Sequence, residues 1–463
     1  MTKAVIDWDS DLPPEPEEEY QALQRAIRRN QGFGLLFVQC SPSMGAHIIG
    51  RLREDVPQKR MATLEFTETI LDGNLYREVK AFLAQQSAVD VLFIQGLEHS
   101  LYAYEDTKRH LGWTEKEVRS YSWKGVPPVM VNLNQQRENF RDSFQNTCFV
   151  FLIPPFAKNY LIHRAPDFFD WRSGIFELPV DKADLQIRSL SAYGNYDEYL
   201  KLTPAERVQK LAELRNLIDD PNQTIDRKAG LLFEQGNVFA ANKDYEEAIA
   251  AYDQALTLQP GDHEALNNKG SALFNLGRYE EAIAAYDQAL AIQPDDHDAL
   301  YNKGIALSDL GRYEEAIAAY DHALAIQPDD HEALNNKGIA LRNLGRYEEA
   351  IAAYDHALNI KPDKHEALIN KGIALRNLGR YQEAIVAYDK ALAINPAYGS
   401  PWYNKACCYG LQGKVEPAVE ALSRAIELNS RYQEKAKTDS GFDAIRNDAR
   451  FQALLIDSAQ NSD

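Results

Sequence analysis

Five asparagines, Asn268, Asn302, Asn336, Asn370 and Asn404, recur at intervals of 34 residues. A side-chain amide carries both donors and an acceptor, the complement of a peptide backbone. Amides stepped at a fixed interval can therefore hold an extended chain without reading its sequence. Asn275, Asn343 and Asn377 recur seven residues further on and widen the polar strip, and Ile305, Ile339 and Ile373 add an apolar one. Arg342 and Arg376, one interval apart, are the basic residues of that strip and are suited to clamping a carboxylate.

A second set of candidates lies near the N-terminus. Residues 34–40 read as an apolar strand, 41–45 as a loop and 45–54 as a helix, the arrangement that carries a phosphate-binding loop. The pattern G-x-x-x-x-G-K-[ST] needs glycines for a tight turn, a lysine for the phosphates and a hydroxyl for magnesium. Aligned on Gly45, this chain has Cys40 at the first glycine, Ala46 at the lysine and His47 at the hydroxyl. After the strand ending at Ile94, Gln95 stands where a metal-holding aspartate belongs, and Glu98 is the nearby carboxylate. Hydrolysis is not expected of this set. Weak, degenerate nucleotide binding at Gly45, Ala46, His47 and Glu98, through backbone amides at a helix start, is the nucleotide reading it leaves.

Two further constellations read as structural. His263, His297, His331 and His365 follow proline-acid turns, one per interval, and are too far apart to share a metal, so turn capping is expected. Cys40, Cys148, Cys407 and Cys408 show no metal or redox spacing. No metal, cofactor or catalytic set is expected, and the chain is read as a non-enzyme.

The elements that position the asparagines follow from the repeat itself. Gly236, Gly270, Gly304, Gly338 and Gly372 share one register, Tyr245, Tyr279, Tyr313, Tyr347 and Tyr381 another, and Pro260, Pro294, Pro328, Pro362 and Pro396 close each unit. In residues 263–296, Ala265, Leu266, Gly270, Ala272 and Leu273 fall on one helical face. Gly277 supplies a left-handed stop. Ala282, Ile283, Tyr286, Ala289 and Leu290 then line a second helix. Each helical hairpin buries its apolar face only against its neighbours, which makes the array a solenoid. This unit resembles the tetratricopeptide (TPR) repeat. The resemblance covers six units over 229–432, the sixth lacking the closing proline. Within each first helix, positions 2, 5, 6, 9, 12 and 13 share the face opposite the packed stripe. The asparagine ladder is position 6, Arg342 and Arg376 are position 12, and the lysine that TPR carboxylate clamps carry at position 5 is absent. A chaperone-tail ligand is therefore not implied.

In the first 180 residues short apolar strands near 34–40, 61–66, 89–94, 147–153 and 173–178 alternate with helices near 18–30, 45–54, 74–87 and 134–145. That alternation implies a parallel sheet covered on both faces. The strand order, with Gly96-Leu97-Glu98, 133–138, Phe151-Leu152-Ile153-Pro154-Pro155 and 164–172, resembles the P-loop ATPase domain of STAND-type bacterial signalling proteins. The departures near Gly45 imply a degenerate copy.

The expected fold is thus an N-terminal α/β domain (parallel sheet, P-loop-like) followed by an all-α TPR solenoid. Its organisation is a flexible acidic leader over 1–15, the α/β domain over 16–180 and a linker with a helix over 181–228. The repeats fill 229–432, and a capping helix and tail follow over 433–463. In the linker, 193–199 reads as irregular, and Thr203-Pro204-Ala205-Glu206 is a capping box opening a helix with Val208, Leu211, Leu214 and Ile218 along one side. That helix is expected to dock on the first repeat or on the α/β domain. Beyond 432, Phe442, Ile445, Phe451, Leu454 and Leu455 are expected to close the far end.

The net charge of −19 disfavours nucleic acid or anionic lipid as the principal partner. The first three repeats hold 5 basic against 19 acidic residues and the last three 13 against 11. No apolar run is long enough to span a bilayer, and a cytoplasmic, bacterial protein is expected. These features imply an interaction scaffold whose repeats bind a protein or peptide partner. The alternative is a nucleotide-binding, STAND-like regulator whose repeats sense a partner.

Overall fold

The computed structural model describes residues 16–110, 125–178, 182–220 and 223–456; the leader expected over 1–15 and the last residues of the tail lie outside them. The chain divides into two compact units, residues 1–260 and 261–463.

In the first unit, β1 (Gly34–Gln39), β2 (Met61–Glu65), β3 (Val91–Gln95), β4 (Cys148–Ile153) and β5 (Gly174–Glu177) form a parallel sheet in the order β2-β3-β4-β1-β5. The strands are nearly continuous apolar runs because both faces are buried, and alternate side chains serve opposite cores. Leu35, Phe37, Leu92, Ile94, Phe149 and Phe151 share one core with Val79 and Phe140. Leu36, Val38, Val91, Phe93, Val150 and Leu152 share the other with Leu23, Ile27, Ile48 and Leu52. Helices α1 (Pro16–Arg29), α2 (Pro42–Asp55), α3 (Leu75–Ala84) and α4 (Glu98–His110) lie between or before the strands.

One expectation near the sheet is corrected. Residues 41–45 are no loop: α2 begins at Pro42, directly after Ser41, whose hydroxyl accepts from the Met44 amide at 3.3 Å. Serine at the cap and proline in the first turn both favour an immediate start.

The linker also differs from expectation. Residues 193–199 are not irregular throughout: a capping box of Asn195 and Glu198 opens a helix, Tyr196–Lys201, and Tyr199 is buried with its hydroxyl on Glu234 Oε2 at 2.7 Å. The capping box at Thr203 forms as read, opening the helix Pro204–Ile218. Its buried side is Ala212, Leu214, Leu217 and Ile218, whereas Val208 is exposed. This linker helix packs on both α4 and the first repeat helix, Ile225–Ala241. Together with the helix Lys182–Ala192 it covers the apolar side of the hairpin formed by Ile225–Ala241 and Tyr245–Leu258.

The second unit is five further hairpins, whose first helices start at His263, His297, His331, His365 and Gly399 and whose second helices start at Tyr279, Tyr313, Tyr347, Tyr381 and Val415. Each second helix packs on its own first helix and on the first helix of the next hairpin. The hairpin bends on a glycine held at φ between +68° and +79° (Gly277, Gly311, Gly345, Gly379 and Gly413). In the first unit Lys243 takes the same left-handed backbone at φ +68°. The last hairpin is closed by Phe442, Ile445 and Phe451, all buried against Tyr403, Cys407, Leu422 and Ala425. Among the described residues no helix is long and apolar enough to cross a membrane.

Candidate functional site

Consecutive first helices of the second unit touch one another directly. That crowding marks their shared side as the inner wall of the curve, where positions 5, 6, 9, 12 and 13 fall.

The asparagine ladder occupies this wall but is not a row of idle amides. Asn302 donates to Asn267 Oδ1 at 3.2 Å, Asn336 to the Tyr301 hydroxyl at 3.0 Å and Asn370 to Asn335 Oδ1 at 3.2 Å. These three amides therefore grip position 5 of the preceding repeat, and one N–H of each remains. Asn404 is buried and donates to Ser400 Oγ at 3.4 Å. Asn268 is half-buried. Asn275, Asn343 and Asn377 are exposed on the last turns of their helices, with Asn275 bonded to the Ser271 carbonyl at 2.8 Å.

Arg342 and Arg376 extend the ladder across the next interface. Arg342 donates to Asn370 Oδ1 at 3.0 Å and Arg376 to Asn404 Oδ1 at 3.2 Å. Both are half-buried, and neither has a carboxylate within ion-pair reach among the described residues. The cations beside them at position 7 and at the hairpin turns are neutralised. Lys337 pairs with Asp321 at 2.5 Å, Lys405 with Asp389 at 2.6 Å and Lys371 with Asp355. Arg346 pairs with Glu349 at 2.5 Å and Arg380 with Glu383 at 2.6 Å. Beside the two unpaired guanidiniums, the buried hydroxyls of Tyr354 and Tyr388 have no hydrogen-bond partner. The equivalent hydroxyl of Tyr286 has Ser271 Oγ at 3.3 Å, because position 9 is serine there and Ile339 or Ile373 in the later repeats. This stretch of wall offers positive charge and donors in a partly dry setting.

Sequence reasoning missed the position-5 acceptors; at position 7, Lys269, Lys303, Lys337, Lys371 and Lys405 are expected to reach water or a neighbouring aspartate. The lysine pairs with an aspartate of the preceding second helix, as in Lys303–Asp287 at 2.5 Å, and ties hairpin to hairpin. The 16-residue spacing of each Lys–Asp pair was visible but matches no single-helix rule. Two of the four histidines reach the next turn: His263 bonds Asp296 at 3.0 Å, and Asp296 caps the next first helix through the Ala299 amide. His297 meets Asp330 at 3.1 Å in the same way. His331 and His365 instead meet their own neighbours Glu332 and Glu366.

The nucleotide candidates lie elsewhere. The Gly45 amide donates to the Ser41 carbonyl at 2.9 Å within α2, and Ala46 and His47 are exposed on that helix. Glu98 opens α4 behind Gly96, whose φ of +85° and contact with the Phe66 carbonyl leave no room for a side chain. The structure brings Ala46 and Glu98 to one crevice, at the carboxyl ends of the strands. Burial pushes the Glu98 carboxyl up to about 7, with Glu65 adding to the rise. Such a group binds more protons folded than unfolded between pH 4.5 and 7, so its contribution to stability is full below 4.5 and is lost as pH rises through 7. Glu98→Gln is accordingly expected to stabilise the first unit by roughly 3 kcal/mol above pH 7 and to have no effect at pH 4. Urea denaturation at the two pH values checks this, and an equal effect at both would contradict it. Among the described residues no group of His, Cys, Asp and Glu is arranged to hold a metal ion.

The hairpins and their inner wall define a class. Residues 233–297, 301–365, 365–398 and 400–432 match tetratricopeptide repeat family profiles, and these units are tetratricopeptide repeats. The chain is similar to Hsp70-Hsp90 organizing protein 1 of Arabidopsis thaliana, at 31% identity over 90 residues. That match takes in 19% of this chain and only 15% of the relative's length. Among solved structures it is similar to YrrB, described as a TPR protein with an unusual peptide-binding site, at 23% identity over 41% of this chain and 100% of that one, with a TM-score of 0.37. It is also similar to MamA from Desulfovibrio magneticus RS-1, at 24% identity over 36% of this chain and 96% of that one, with a TM-score of 0.36.

Proposed function

We propose that this protein is a non-catalytic interaction scaffold whose repeat wall holds an extended, acidic peptide segment of a partner protein. The observation that carries this reading is the pair of guanidiniums, Arg342 and Arg376, set one repeat apart with no carboxylate in ion-pair contact among the described residues. A carboxylate on the peptide answers the two guanidiniums, and the remaining N–H groups of Asn302, Asn336 and Asn370 face the peptide backbone. The tetratricopeptide class, and a relative named for organising two chaperones, support the scaffold role.

Fluorescence anisotropy with extended peptides of acidic, neutral and basic composition tests this. Acidic peptides are expected to bind the full chain preferentially. Arg342→Gln with Arg376→Gln is expected to weaken that binding by about a hundredfold or more, since each charge-assisted bond contributes roughly 1.5–3 kcal/mol. Indifference to peptide charge, or to the double substitution, would remove the reading. Alanine at Asn302 and Asn336 is a poorer test, because those amides also join repeats.

The nucleotide-gated alternative has the strand order in its favour, since β1 and β4 are adjacent while the connections leaving them run in opposite directions, the usual place for a ligand crevice. Against it stand the helical first turn at Gly45 and the acidic lining of that crevice.

A further inference from the structure

We propose that the crevice at the carboxyl ends of β1 to β4 binds a small aliphatic diamine, one ammonium meeting Glu98 and Gln95 inside and the other the carboxylates at the rim. The site is independent of the peptide wall.

The cavity has a volume of about 600 Å³, within the range of small-molecule sites. Its floor is formed by the residues that end the strands, and its roof by the linker helix Pro204–Ile218. The roof is fastened. Arg215 pairs with Glu105 of α4, both largely buried, and Tyr102 donates to Asn216 at 2.9 Å. The linker helix is therefore held over the crevice on one side.

Its chemistry is one-sided. Four carboxyl groups line it, Glu65, Glu98, Glu206 and Glu213, against a single ammonium, Lys210, which already holds Glu213 at 3.0 Å. Glu98 is only 5% exposed, and its Oε2 has no hydrogen-bond partner. Gln95 Oε1, beside it on the wall, is likewise buried and unpartnered. Gln95 Oε1 is an acceptor and Glu98 Oε2 is one when ionised, so an entering donor answers both. An alkylammonium has three N–H donors and no acceptor. A phosphate has the opposite inventory and would enter against the surplus negative charge.

The amino end of α4, which would otherwise attract an anion, is already answered by Glu98 in its first turn. The first turn of α2 is closed by the Ser41 hydroxyl. Between the inner acceptors and the rim, Cys40, Phe66, Leu152, Leu202 and Ala212 supply apolar wall. A methylene chain with a charge at each end matches that sequence of surfaces.

Isothermal titration of the full chain with 1,4-diaminobutane tests the assignment, with 1,4-butanediol as the uncharged match and magnesium-ATP as the anionic competitor. The diamine is expected to bind saturably at one per chain, the diol and the nucleotide not at all. Glu98→Gln, which keeps the shape of the side chain, is expected to weaken diamine binding at least tenfold while circular dichroism shows an unchanged fold. Ala212→Trp, which fills the crevice from its roof, is expected to abolish binding without touching a charged group. Absence of diamine binding to the folded wild type, undiminished binding by Glu98→Gln, equal binding of the diol, or displacement of the diamine by ATP would each overturn the proposal. Its failure leaves the acidic-peptide reading untouched, since that is measured with different residues and a different ligand.

Discussion

Arg215→Ala is expected to destabilise the first unit by about 3–5 kcal/mol, the usual consequence of stranding one member of a buried ion pair. Arg215 and Glu105 keep 11% and 6% of their side-chain surface, and Glu105 also accepts from the Tyr160 hydroxyl at 2.6 Å. Removing the guanidinium takes an ion-pair partner from a carboxylate that keeps little contact with solvent. The same residue lies over the Tyr102 ring at 5.4 Å, so packing is lost as well. Replacing both partners, with Arg215→Met and Glu105→Leu, is expected to recover most of the loss, because no unpaired charge then remains. Hydrogen exchange of the β3 and β4 amides measures both effects. A single variant as stable as wild type would mean that the linker helix is not anchored through this pair.

Gly338→Val is expected to cost more than about 3 kcal/mol in the second unit, at the severe end of overpacking. Even the first carbon of a side chain at 338 would lie 2.5 Å from Cε1 of Tyr354, a fully buried ring in the middle of a hairpin. The ring cannot retreat, since Ala340, Leu341, Ala350 and Leu375 share its core. Gly345 provides the comparison within the same hairpin. There the backbone sits at φ +79° with open space around it. Gly345→Ala is therefore expected to cost only about 1–2 kcal/mol of backbone strain. Thermal unfolding of the two variants separates the causes, and a smaller loss for Gly338→Val than for Gly345→Ala would contradict the packing argument.

Much of the fold was legible because its physics is local or periodic. The strands read clearly since a sheet covered on both faces needs uninterrupted apolar runs, as in Cys148–Ile153. The hairpins read clearly since Gly277 and its counterparts, and the alanines of the crossing, recur with the period. Less visible were contacts between residues with no shared rhythm. Nothing in the sequence joins Glu105 to Arg215, and the linker helix could not be oriented without that pair. Val208 sits in helical phase with Leu211 and Leu214 yet faces outward. The loop expected at 41–45 followed the phosphate-binding pattern, whereas the cap at Ser41 and the proline after it decide the local backbone. The ladder residues were found by their spacing, but spacing alone did not reveal that Asn336 answers to Tyr301 or Asn370 to Arg342.

The ties between hairpins are nearly interchangeable. Asn336 would find Asn267 where it now has Tyr301, Lys337 would find Asp287 in place of Asp321, and Asp296 would cap the helix at His331 as it now caps the one at His297. Excising residues 297–330 therefore leaves no orphaned group at the new junction. Such a gene can shorten or lengthen by whole modules while its product stays foldable, so reach along a partner can evolve in steps without redesign of any single joint.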